Sequence, residues 1–225
     1  MKLYRNILFV AFVLTLISCG INAQAQSGFD PAYVKVTNER AQKIVDNMNL
    51  VDQDKELRVR DLIAGQYRSL SKIQDGRDAK IEEIIGSVLE KSKQEKKINK
   101  LKKEVDKRIV RLHKSYVKML SKELTEAQII QVKDGMTYGV VEITYTGYLD
   151  MLPNLTEPQK AYIYDNLVEA RELAMDGGSS DEKHAWFGKY KGRINNYLSA
   201  EGYDLNKASE EWHIRLEERK KNNSN

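Results

Sequence analysis

Asp134-Gly135-Met136-Thr137-Tyr138-Gly139-Val140-Val141-Glu142-Ile143-Thr144-Tyr145-Thr146-Gly147-Tyr148 is the stretch on which the fold class turns. Val141, Ile143 and Tyr145 alternate as in a half-buried strand, whereas Val141, Tyr145, Tyr148, Leu149 and Leu152 fit one helical face. A lone strand would leave its backbone groups unpaired, and no other segment of the chain offers it a partner. The stretch is therefore read as helix with a distortion at its glycines, and the chain as all-α.

Composition agrees with that reading. The 225 residues are 41% hydrophobic and 31% charged, enough for a core, with only three prolines to interrupt helices. Upstream, Pro31 opens a helix carrying Tyr33, Val34, Ala41, Ile44, Val45 and Met48, and a second helix covers Asp54 to Ile73. Gln74-Asp75-Gly76 reads as a stop or bend. From Asp78 to Ser121 apolar residues recur every three or four positions, among them Ile98, Leu101, Val105, Ile109, Leu112, Tyr116 and Met119, as in a packing seam. This segment is either a helical hairpin turning near 92–96 or one long helix, with the hairpin favoured.

The arm is electrically lopsided. Between Lys91 and Lys122 it holds 13 Lys and Arg against Glu95, Glu104 and Asp106. A solvated helix face accounts for such a run; a docking surface for an anionic partner is the functional alternative.

Two phrases, Leu124-Thr125-Glu126-Ala127-Gln128 and Leu155-Thr156-Glu157-Pro158-Gln159, are helix starts of capping-box form with a leucine staple. A helix from Thr156 stops at Gly177-Gly178. Ser179 then caps the next one, with Glu182 in the reciprocal position, and Gly202 ends it. A last helix runs from Asp204 to about Arg219 with Trp212 inward, and 220–225 should fray. The expected architecture is a single helical domain over 30–219: a helical bundle with a long basic hairpin or arm (78–121) and a glycine- and aromatic-rich C-terminal helical part.

Residues 1–25 read as an export signal. Lys2 and Arg5 precede an apolar run from Ile7 to Ile17 that is too short to span a bilayer. Leu16-Ile17-Ser18-Cys19 suits lipobox cleavage before Cys19, leaving a lipid on that residue as the only membrane attachment. Ala23-Gln24-Ala25 suits ordinary cleavage instead. Either route places the protein in the periplasm, at the outer membrane or outside the cell. The net charge of +4 falls to +2 without Lys2 and Arg5, which argues against a nucleic-acid partner.

Eight of the 12 tyrosines lie between Tyr138 and Tyr203. On the helix after Ser179, Phe187, Ile194 and Leu198 share the core direction, while Trp186, Tyr190, Arg193 and Tyr197 follow one another along its rim, with Lys189 and Asn196 toward solvent. Aromatic rings beside amide and cationic donors suit sugar recognition, in which a ring covers a pyranose face and the donors read its hydroxyls. The candidate ligand-binding residues are Trp186, Lys189, Tyr190, Arg193, Asn196 and Tyr197, joined by Tyr138 and Tyr148 from the glycine-rich segment. Simple packing is the competing reading. Nucleophile-elbow, phosphate-loop and dinucleotide motifs are missing, and His113, His184 and His213 lack metal-ligand spacing. No catalytic residue, metal or cofactor is expected. Glu142, Asp150 and Asp134 are the nearest carboxylates to the tyrosine-rich region for a glycosidase pair.

Asp134-Gly-Met-Thr-Tyr-Gly139, Tyr148-Leu-Asp-Met-Leu-Pro-Asn-Leu-Thr156, Gly178-Ser-Ser180 and His184-Ala-Trp-Phe-Gly-Lys-Tyr-Lys-Gly-Arg-Ile-Asn-Asn-Tyr197 together resemble an uncharacterised family of exported Bacteroidota proteins, described as a domain of unknown function to which sugar binding is ascribed. The likeness runs from about Tyr33 onward. It implies a cell-envelope or secreted protein whose partner is a glycan or a glycan-bearing envelope component, and it supplies no catalytic residues. A looser likeness, through the Leu-Thr-x-x-Gln phrases, is to Spy-like periplasmic chaperones, which gives a chaperone or stress-adaptor alternative. A glycan-active enzyme is the third reading.

Overall fold

The computed structural model describes residues 28–223, so the export signal, Cys19 and both cleavage sites lie outside the described residues. Those residues form eight helices and no strand: α1 (Pro31–Asp46), α2 (Gln53–Ile85), α3 (Lys91–Leu120), α4 (Glu126–Met136), α5 (Val140–Met151), α6 (Glu157–Ala174), α7 (Ser180–Ala200) and α8 (Leu205–Asn223). None of them is long and apolar enough to cross a membrane.

Local chemistry sets most boundaries. Asp30 caps α1 by accepting from the Ala32 amide at 2.8 Å, just before Pro31. The Thr125 and Gln128 capping pair forms reciprocally, at 3.3 and 3.0 Å, with Leu124 buried beneath it. At α6, Gln159 reaches back to the Thr156 amide at 3.0 Å. Ser179 accepts from the Glu182 amide, while the Glu182 carboxylate takes the amide of Gly178, one residue further back than the usual box. Gly202, at φ +94°, closes α7 with Tyr203 donating to the Leu198 carbonyl.

Two expectations need correction. α2 does not stop at Gln74-Asp75-Gly76 but continues to Ile85, because Gln74 is buried and bonded into the fold, donating to the Asp176 carbonyl at 3.1 Å. The hairpin consequently turns at 86–90, before α3 begins at Lys91, rather than at 92–96.

The core has two lobes. α1, α2, the end of α3 and α4 enclose Ala41, Val45, Ile63, Tyr116, Leu120 and Val132. α5, α6 and α7 enclose Tyr148, Ile163, Leu167, Phe187, Ile194 and Leu198, with Leu205 and Ala208 of α8 against them. α8 is clamped by Asp150, which accepts from Trp212 Nε1 at 2.7 Å and from both Arg219 terminal nitrogens at 2.8 and 2.9 Å. Arg171, almost fully buried, crosses between the lobes to Asp134 at 2.8 Å.

The deciding stretch is helical on both sides of a corner at 137–139. Gly135 and Gly147 sit inside helices, so the distortion belongs to Tyr138 and Gly139 alone, at φ +61° and +66°. The amide of Gly139 donates to the Asp134 carbonyl at 2.9 Å, the signature of a helix ended by a left-handed residue. That residue, normally glycine, is Tyr138.

Candidate functional site

A cavity of about 870 Å³ opens where the two lobes meet. Its walls include Tyr33, Arg40 and Lys43 of α1, Asn47 just past its end, Tyr67 and Ser71 of α2, Gln131, Asp134 and Gly135 of α4, the corner Tyr138-Gly139, the turn 177–179, and Ser180 and Lys183 of α7. Two of the sequence phrases that set this chain apart, 134–139 and 178–180, thus converge on one hollow, with Lys183 of α7 beside them.

Close packing explains two glycines here. A β-carbon at Gly135 would lie 2.8 Å from Ile44, so α4 can approach α1 only without a side chain at that position. A β-carbon at Gly178 would overlap the carboxamide of buried Gln74.

The cavity is cationic. Arg40, Lys43 and Lys183 face a single acidic lining residue, Asp134, whose carboxylate is already held by Arg171. Lys183 is only 5% exposed; its ammonium donates to the Met175 carbonyl at 3.2 Å and lies 5.9 Å from the centre of the Tyr67 ring. Burial lowers its pKa to about 8, against the opposing pull of Asp176. Burial likewise pushes the Tyr67 phenol up to about 12, with Tyr138 adding to the rise and Arg40 opposing it. Tyr138 is half exposed, in a backbone conformation that is costly for a side chain of its size, and its ring stacks on His184 at 5.7 Å.

The residues singled out on α7 occupy three places. Tyr190 is 3% exposed and belongs to the core rather than its rim, with Arg193 lying over its ring at 4.4 Å. Trp186 and Lys189 line a groove between α3 and α7, the ammonium 5.0 Å from the indole. Lys189 also joins Arg193, Asn196, Tyr197 and Tyr162 around a shallow concavity, where the Tyr162 and Tyr197 rings stack at 3.9 Å. Of the tyrosines added from the glycine-rich segment, Tyr148 is buried and donates to Asn195 at 2.6 Å, whereas Tyr138 lines the large cavity, apart from the α7 surface.

Sequence reasoning missed Arg40, Lys43, Tyr67 and Lys183. They lie on three different helices, and no local pattern links them. The three carboxylates considered for catalysis are engaged elsewhere: Asp134 with Arg171, Asp150 with Trp212 and Arg219, and Glu142 with Thr146. Among the described residues no group of three or more His, Cys, Asp and Glu is placed to hold a metal ion.

Comparison with curated proteins finds no match. A family model described as a protein of unknown function matches residues 34–218, most of the length and all of the cavity wall except Tyr33. The chain belongs to that family, DUF3826.

Proposed function

We propose that this is an exported envelope protein that binds an acidic carbohydrate in the cavity between its two lobes. The observation that carries the reading is the convergence of Arg40, Lys43 and Lys183 on a tyrosine-lined hollow whose one carboxylate is already paired. A sugar needs an aromatic face and several donors; a uronate needs, besides, a cation that no internal acid has neutralised. Tyr33, Tyr67 and Tyr138 supply rings, and Asn47, Ser71 and Gln131 supply neutral polar groups. The resemblance to a family with ascribed sugar binding supports the same class of ligand, and the export signal read from residues 1–25 supports the compartment.

Titration calorimetry with short galacturonate oligosaccharides tests this. Binding that is lost in Arg40→Ala supports the pocket; undiminished binding in that variant removes it.

A second reading places the sugar on the outer surface of α6 and α7, where the stacked Tyr162 and Tyr197 rings lie beside Lys189, Arg193 and Asn196. Tyr197→Ala, run in the same titration, distinguishes the two.

A further inference from the structure

A long row of like charge lies outside this cavity, on α3. Viewed down that helix at 100° per residue, the seam Ile98, Leu101, Val105, Ile109, Leu112 and Tyr116 keeps to one side, against α2 and the N-terminal lobe. Directly opposite, a basic residue recurs at every three- or four-residue step from Lys93 to Lys118, at 93, 96, 100, 103, 107, 111, 114 and 118. All eight are exposed, and although exposed Glu104 and Asp106 flank the row within a turn of Lys100, Lys103 and Lys107, no acidic residue occupies a position in it. Among the described residues, only Lys93 of this row, at one end, lies in a surface ion pair, with Glu90 at 3.3 Å. At 1.5 Å per residue the row is about 37 Å long, with neighbouring charges roughly one helical turn apart.

Like charges spaced so closely repel one another, by a few tenths of a kcal/mol per pair on a helix surface. A solvated face needs no such arrangement: mixed signs would keep the helix equally soluble and favour its formation. The row therefore has a cost that a bound polyanion would relieve.

We infer that this stripe is a second binding site, for the extended chain of an acidic polysaccharide. A polyuronate carries one carboxylate per ring, at a repeat of the same order as the helical pitch, so a chain lying along α3 meets one cation per sugar or two. A bilayer surface fits less well. Val105, Tyr116 and Leu120 of α3 are buried against its own fold, and its exposed large apolar residues, Val110 and Met119, lie on opposite sides of the helix, so no continuous apolar face remains to enter lipid beside the cations. Single-stranded nucleic acid also fits less well, because the single aromatic residue of α3, Tyr116, is fully buried and no ring is left for base stacking; duplex DNA is an outcome of the test below. The choice of a sugar polymer among polyanions rests on the acidic-carbohydrate reading of the cavity; the existence of an anion-binding stripe does not.

The test compares the whole chain with the variant Lys100→Gln, Lys103→Gln, Lys107→Gln, Arg111→Gln, whose changes all lie on the exposed face. Probes are polygalacturonate, its short oligosaccharide, vesicles of phosphatidylglycerol and double-stranded DNA, each titrated between about 50 and 200 mM salt. The native chain should bind polygalacturonate with an affinity that falls steeply with salt. The variant should bind it at least about tenfold more weakly, with a shallower salt slope, and bind the short oligosaccharide unchanged. Arg40→Ala should show the converse pattern, so failure of the stripe and failure of the cavity are separable. Equal polymer affinity in the native chain and the variant, or equally tight binding of vesicles or DNA by the native chain, would overturn the inference.

Discussion

Tyr138 occupies the left-handed position that ends α4, and from there its ring stacks on His184 of α7 at 5.7 Å and an interplanar angle of 18°. Glycine would hold the same backbone without strain, so the tyrosine is retained against a local cost of about 1 kcal/mol or more. The stack alone is a modest return for that cost. We expect Tyr138→Gly to leave thermal stability unchanged or to raise it by about 1 kcal/mol, while weakening acidic-sugar binding at least about tenfold. Paired melting and titration measurements check this; a destabilised variant with native affinity would make Tyr138 a packing residue.

That tyrosine also marks where the sequence stopped being readable. The choice of helix over strand for 134–148 followed from backbone pairing and agrees with the structure, as do the caps at Thr125 and Ser179. The strained residue was not legible, because a glycine stands beside it and draws the eye. Gln74-Asp75-Gly76 misled for the opposite reason: it has the composition of a stop, but tertiary contacts carry α2 through it. Lys183 shows the deeper limit. Nothing local distinguishes a lysine buried against Met175 and Tyr67 from its exposed neighbours, and the cavity exists only once α1, α2, α4 and α7 are assembled.

Two glycines within helices should respond in opposite directions to alanine. At Gly135, helix propensity favours alanine by up to about 1 kcal/mol, but the new β-carbon meets branched, buried Ile44, and overpacking of this kind costs about 1–3 kcal/mol. Gly147 has open space at its β-carbon. Chemical denaturation should find Gly135→Ala destabilised and Gly147→Ala stabilised by roughly 0.5–1 kcal/mol. Stabilisation of both would show that α1 and α4 are not in close contact.

His113 bridges α3 to α6. Its Nδ1 lies 2.8 Å from Asp176 and its Nε2 3.7 Å from Glu172, with Lys133 also close to that carboxylate. The hydrogen bond to Asp176 raises the His113 pKa, with the nearby carboxylate charges adding to it, against burial and Lys133. A histidine whose folded pKa exceeds its unfolded value stabilises fully below the unfolded value and loses that contribution as pH rises through the folded one. Stability should therefore decline as pH rises from about 6.5 through the raised value, and His113→Gln should flatten that decline. A native profile that is level over this range would contradict the linkage.

Burial lowers the Lys183 pKa to about 8, whereas the Tyr67 phenol, pushed up to about 12, stays neutral there. Affinity for an acidic sugar should thus fall as pH rises through about 8. Lys183→Met should bind more weakly at neutral pH and lose this dependence. An unchanged pH profile in Lys183→Met would remove the ammonium from the site.

The most direct test of the account compares two oligosaccharides of the same length that differ only at C6, a galacturonate and the corresponding galactose, by calorimetry near neutral pH. The cationic cavity predicts binding of the acid, at least about tenfold weaker binding of the neutral sugar, and loss of that preference when Arg40 and Lys183 are replaced together by Ala and Met. Equal affinity for the two sugars, or no binding of either, would contradict it.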